Sequence, residues 1–136
     1  MTPDLDRLVA CARNRGAVAL YLHGSYALGT SRPDSDLDLA LLLPESGDAS
    51  FEEVAEALEE SAGIEPGRVD VQDLGSAPAL FRSRVVTTGR LLYVSDATRL
   101  AAFQARSMVE AWDEEIFLRP IRKAMRRRIR EGRHAS

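Results

Sequence analysis

Between Gly24 and Asp38 the chain reads GSYALGTSRPDSDLD: a Gly-Ser pair, ten further residues, then Asp36-Leu37-Asp38. Each end of the stretch suits one half of a phosphate-and-metal site. A glycine lets backbone approach a ligand closely. Ser25, directly after Gly24, is placed to open a helix whose free N–H groups face an anion. Asp36 and Asp38 are two residues apart, so on a strand they project to one face. Two carboxylates on one face make a hard-oxygen site suited to Mg²⁺ that carries substrate phosphates. Arg32 and Ser35, in the turn between, are further candidates for phosphate contact. A lone Gly-Ser is a common turn and a lone Asp-x-Asp a solvated strand end. Only the combination, at this spacing, carries the inference.

Two strands must hold the ends of this stretch. Ala17 to Leu22 is an apolar run short enough for a buried strand. His23 follows it and reads most simply as a strand-end histidine bonded to backbone. Past the turn Arg32-Pro33-Asp34-Ser35, residues 36 to 43 alternate so that Leu37, Leu39, Leu41 and Leu43 share one face. Asp36, Asp38, Ala40 and Leu42 share the other, as in a central strand with its carboxylates at one end. A third strand, Arg68 to Leu74, turns Val69 and Val71 one way and Asp70 and Gln72 the other. Beside the acidic strand it brings Asp70 onto the carboxylate face. Asp73 has the opposite parity and helps to end the strand.

The remaining elements read as helices and one short strand. Thr2-Pro3-Asp4 starts a helix with a hydroxyl cap and an early proline, and Leu5, Leu8, Val9 and Ala12 form its stripe up to Asn14-Arg15-Gly16. Pro44 to Asp48 is a loop, and Ser50 to Glu53 is a capping box for a helix ending near Gly63. Ser76-Ala77-Pro78 opens another helix, Leu91 to Val94 is a short strand, and Ser95-Asp96 caps a long helix. Along that helix Leu100, Phe103, Met108, Trp112 and Ile116 form a stripe that packs on the sheet or, alternatively, meets a partner. Pro120 is expected to kink or end it. Residues 1–118 thus read as one domain, and 119–136 as a basic helical tail.

Length and composition fit that organisation. The 136 residues are 45 % apolar and 29 % charged, ordinary for one globular domain with a modest core. No apolar run is long enough for a membrane span. Asp4 and Asp6 stand where a secretory signal needs basic and then apolar residues, and the single Cys11 has no partner within the chain. A reduced cytoplasmic protein is therefore expected. The net charge of −3 conceals an asymmetry: residues 1–118 carry 10 basic and 20 acidic side chains, and residues 119–136 carry 8 and 1. A basic tail on an acidic body suggests a partner, with nucleic acid one candidate, or simply a solvated helix end.

The full pattern resembles the signature of the DNA-polymerase-β-like nucleotidyltransferases. More narrowly, it is similar to the minimal nucleotidyltransferases (MNT) that serve as antitoxins beside HEPN-type RNase toxins. The likeness runs from roughly Val18 to Val94 and is sharpest over Gly24–Asp38. It implies an α/β (α+β) fold, a small mixed β-sheet flanked by helices with a long C-terminal helix. It also implies a third acid, matched by Asp70. Asp36, Asp38 and Asp70 would then be catalytic and hold two Mg²⁺ ions, while Gly24 and Ser25 bind the β- and γ-phosphates of ATP, with Arg32 and Ser35 as helpers. Many relatives have arginine where this chain has Leu28, a departure expected to weaken triphosphate binding without removing activity. The implied acceptor is a tyrosine on a cognate HEPN toxin, silenced by AMP. An aminoglycoside acceptor and a non-catalytic antitoxin that covers the toxin's active site are the alternatives.

Overall fold

In a computed structural model the described residues are 2–47 and 49–134. Asp48, the expected end of its loop, and residues 135–136 of the tail lie outside them. Four strands form a mixed sheet in the order β3-β2-β1-β4, with β1 (Ala19–His23), β2 (Leu37–Leu42), β3 (Val69–Asp73) and β4 (Arg90–Val94). β1 runs antiparallel to both β2 and β4, and β2 runs parallel to β3. A mixed sheet flanked by helices is the architecture that the resemblance implied.

The two faces of β2 are covered by different helices. Leu37, Leu39 and Leu41 pack against α1 (Leu5–Asn14) and α3 (Phe51–Ser61) through Leu8, Ala12, Val54 and Leu58. Ala40 and Leu42, on the other face, pack with Tyr21 under α4 (Ala79–Thr88) and α5 (Ala97–Asp113), through Val85, Leu100 and Phe103. Tyr21 is buried and its hydroxyl accepts a hydrogen bond from Gln104 of α5 at 2.8 Å. The carboxylates stand at the end of β2 where this second apolar face gives way to polar residues.

Three expectations are corrected. First, α1 is capped by Asp4 rather than Thr2. The Asp4 carboxylate accepts the Arg7 N–H at 3.1 Å, while its own N–H is tied to Ala62 O at 2.8 Å, which leaves Thr2 and Pro3 before the helix.

Second, the stripe on α5 splits. Its buried line is Leu100, Phe103, Ser107 and Ala111, whereas Met108, Trp112 and Ile116 are 43 %, 62 % and 48 % exposed. The step from Phe103 to Met108 is five residues, a rotation of roughly 140° about the helix axis that carries Met108 past the buried line. Third, of the kink or end expected at Pro120, the end does not occur. A π-helical turn, Glu114–Leu118, leads directly into α6 (Arg119–His134), with Arg119 N–H donating to Glu114 O. The wider turn re-registers the hydrogen bonds just ahead of a residue that has no N–H to give.

Leu39 is fully buried in the middle of β2, where a cavity has little room to collapse. Leu39→Ala is expected to cost ~2–5 kcal/mol of unfolding free energy, read as a lowered urea midpoint.

Candidate active site

Strand register assembles the site. His23, the last residue of β1, pairs with Asp38 on one side of β2, and Asp70 of β3 pairs with Asp38 on the other. Asp38 therefore stands between a histidine and a second carboxylate. Asp36 lies just ahead of β2, outside the strand proper. Asp73 pairs with Leu41, and its carboxylate accepts the Gly75 N–H at 3.0 Å, ending the strand as its parity suggested.

Gly24 is the other wall. It sits at φ 71°, ψ −151°, a region that essentially only glycine occupies. A Cβ placed there would overlap Asp38 Oδ2. The two ends of the motif are thus in contact, and the absent side chain is the space the carboxylate fills. Gly24 caps the short helix α2 (Ser25–Leu28) without a side-chain cap, and Gly29, at φ 73°, closes it in the left-handed conformation. Ser25 is half-buried at the start of α2, and Leu28 is 65 % exposed on its last turn.

The turn that follows is self-bonded. Ser35 Oγ accepts the Arg32 N–H at 2.7 Å, and Ser35 N–H returns to Arg32 O at 2.9 Å. The Ser35 hydroxyl is thereby engaged in shaping the turn, while Arg32 is exposed. Arg68, unassigned by its sequence context, is the residue that fixes this turn to β3. Its Nη2 donates to Pro33 O at 2.7 Å and to Ser35 O at 2.9 Å, and its Nε lies 4.0 Å from Asp36 Oδ1. Asp36 is 67 % exposed, so that ion pair contributes about 1 kcal/mol at most. Hydrogen bonds from a charged donor are worth about 1.5–3 kcal/mol each, so the two carbonyls are the stronger hold.

Electrostatically the site is crowded with like charge. Partial burial raises the Asp38 carboxyl above its usual range; His23 opposes this, and the neighbouring Asp70 and Asp36 push the same way as burial. Asp70 Oδ2 accepts a hydrogen bond from Gln72 at 2.9 Å, which leaves its other oxygen uncommitted to that contact. His23, read as bonded to backbone, instead has a buried Nε2 with no partner among the described residues and meets Phe81 edge-on, ring centroids 5.5 Å apart.

Among the described residues no three acids, histidines or cysteines are grouped closely enough to hold a metal by themselves. Such an arrangement fits Mg²⁺ better than a closed metal cage does. Mg²⁺ is held by one or two carboxylates, with substrate phosphates and water completing its shell. The donor set, hard oxygens in mutual repulsion, is of the right kind.

The polymerase beta, nucleotidyltransferase family pattern matches residues 8–98, and the chain belongs to that family. A relative named protein adenylyltransferase MntA, from Shewanella oneidensis, is 37 % identical over 75 residues, 54 % of this chain. The match spans 52 % of that relative, about half its length. In fold, the chain is similar to the crystal structure of a toxin–antitoxin with AMP-PNP, at TM-score 0.69 and 24 % identity over 93 % of this chain and 98 % of that one. It is also similar to a structure of tri-AMPylated Shewanella oneidensis HEPN toxin in complex with MNT antitoxin, at TM-score 0.62 and 22 % identity over 92 % and 94 %.

Gly24→Ala is expected to cost on the order of 2 kcal/mol or more, from backbone strain alone, and further through the collision with Asp38. Gly29→Ala meets open space and should cost less. Parallel urea titrations compare the two.

Proposed function

We propose that the protein is a Mg²⁺-dependent adenylyltransferase antitoxin that moves AMP from ATP to a tyrosine of a cognate HEPN-type RNase toxin in the cytoplasm. The observation that carries this is the placement of Asp38 between Asp70 on one side and Gly24 on the other, in a chain of the polymerase beta nucleotidyltransferase family. The relative named protein adenylyltransferase MntA supports the transfer of AMP. The fold shared with a toxin–antitoxin complex and with an MNT antitoxin bound to AMPylated toxin supports the acceptor. Among the described residues no helix is long and apolar enough to cross a membrane, consistent with work on a partner in solution.

In this reading Asp36 and Asp38 hold the metal ions with the triphosphate, and Asp70 serves the acceptor side. Bound Mg²⁺ supplies neutralisation of the phosphate charge and a lowered pKa for the attacking hydroxyl. Gly24 lets the β- and γ-phosphates come close to backbone, and Ser25 meets them at the start of α2. Arg32 is free to reach them from outside, whereas Ser35 contributes through the shape of its turn. The tyrosine oxygen forms a bond to the α-phosphorus as the bond to pyrophosphate breaks. Asp70 would accept the hydroxyl proton. Catalysis rests on positioning and charge stabilisation.

The surface for the acceptor protein is on the C-terminal helices. Met108, Trp112 and Ile116 on α5 and the π turn are followed by Ile121, Met125 and Ile129 on α6, all more than 40 % exposed. The main neighbour of α6 is the π turn rather than the sheet. Apolar residues four apart, with one five-residue step from Ile116 to Ile121 across the π turn, and flanked by arginines suit a groove rimmed by carboxylates on a helical partner.

Incubation with MgATP and a HEPN-type toxin should add one or more AMP units to the toxin, read by intact mass. Asp38→Asn should abolish the gain and leave the complex intact. A toxin that loses RNase activity without gaining mass supports simple covering of its active site. Adenylylation of an aminoglycoside instead would refute the antitoxin reading.

A further inference from the structure

We infer that Arg68 is a positioning residue that sets Asp36 for metal binding by fastening the motif's turn to β3. The inference rests on the nucleotidyl-transfer reading of the site. The pairing of Leu37 with Val69, continued one residue outward, brings Arg68 beside Asp36, just as Asp70 lies beside Asp38. Two rungs of one ladder therefore hold all three acids. The inner rung is fixed by strand hydrogen bonds, but the outer one lies before both strands and needs another hold.

Arg68 provides that hold through backbone. One nitrogen, Nη2, donates to both Pro33 O and Ser35 O, at 2.7 and 2.9 Å, so the turn is clamped on either side of Asp34. The planar fork of a guanidinium suits such a multiple contact better than an ammonium does. At 4.0 Å from Nε, the Asp36 carboxylate is near the positive charge without being hydrogen-bonded by that nitrogen. Its oxygens stay available to a cation while the charge steadies the carboxylate in the absence of one. Arg68 is 24 % exposed and Asp36 67 %, so the clamp is on the sheltered side and the ligand on the open side. Since Arg68 and Asp70 are two residues apart on one chain segment, the same hold fixes the distance between the acids of β3 and the turn.

Hydrogen exchange and calorimetry on Arg68→Met test this. Backbone amides of Ser35, Asp36 and Leu37 should exchange faster without nucleotide, by a larger factor than the β1 amides, and the urea midpoint should fall with the loss of the two hydrogen bonds. MgATP should bind on the order of ten-fold more weakly, as for other residues that orient a metal ligand, with ATP in EDTA unaffected. Arg68→Lys, a milder change, should fall between wild type and Arg68→Met in both readouts. Unchanged exchange in the turn, or unchanged MgATP affinity, overturns the inference. A wild type that binds no MgATP would sink the nucleotidyl-transfer reading instead, and the exchange experiment would still report on the clamp.

Discussion

Asp38 has nowhere else to go. The β1 ladder puts His23 on one side, the β3 ladder puts Asp70 on the other, and Gly24 gives up its side chain to the carboxylate. Backbone hydrogen bonds in the sheet hold these groups together against the repulsion of their charges. The result is a patch in which burial first, and the neighbouring Asp70 and Asp36 after it, raise the Asp38 carboxyl above its usual range, against the opposing effect of His23. A charge arrangement of this kind costs stability in the empty protein and recovers it on binding a metal with a phosphate ligand. The buried leucines of β2 anchor the patch, because sliding the strand by one residue would exchange its faces.

The rest of the chain divides into what steadies that patch and what stays outside the core. Helices α1 and α3 cover most of one face of the sheet, and α4 and α5 cover part of the other. Beyond Ala111 the long helix stops serving the core. Its apolar residues turn outward, a π turn carries it past the proline, and arginines take over the polar face. Ion pairs along the way, Arg119 with Glu115 at 2.9 Å and Arg122 with Glu114, brace the junction. The asymmetry of charge therefore coincides with an asymmetry of packing: the acidic body folds on itself, and the short basic tail leaves its apolar residues exposed.

The central strand was readable because its alternation leaves few choices. Leu37, Leu39 and Leu41 must share a face, so Asp36 and Asp38 are assigned by default, and the same parity separates Asp70 from Asp73. Short-range rules failed where two caps competed. Asp4 outbid Thr2 because its neighbour contact with Ala62 is long-range and leaves no trace in the local sequence. The split of the α5 stripe was legible in principle, since a five-residue step breaks helical spacing, but Leu, Phe, Met, Trp and Ile in succession mask it. Arg68 was out of reach. An arginine at the start of a strand reads as solvent-exposed until the turn it clamps, more than thirty residues away, is folded beside it.

The central claim is that the cation and the triphosphate share the patch around Asp38. Paramagnetic broadening by Mn²⁺ in the presence of AMP-PNP, followed amide by amide in NMR spectra, locates the ion directly. The broadening should centre on His23 to Ser25, Asp36 to Asp38 and Asp70, and it should be much weaker when AMP-PNP is omitted. Broadening centred on the glutamates of α3, or on Leu43 to Glu45 at the far end of β2, would contradict the account.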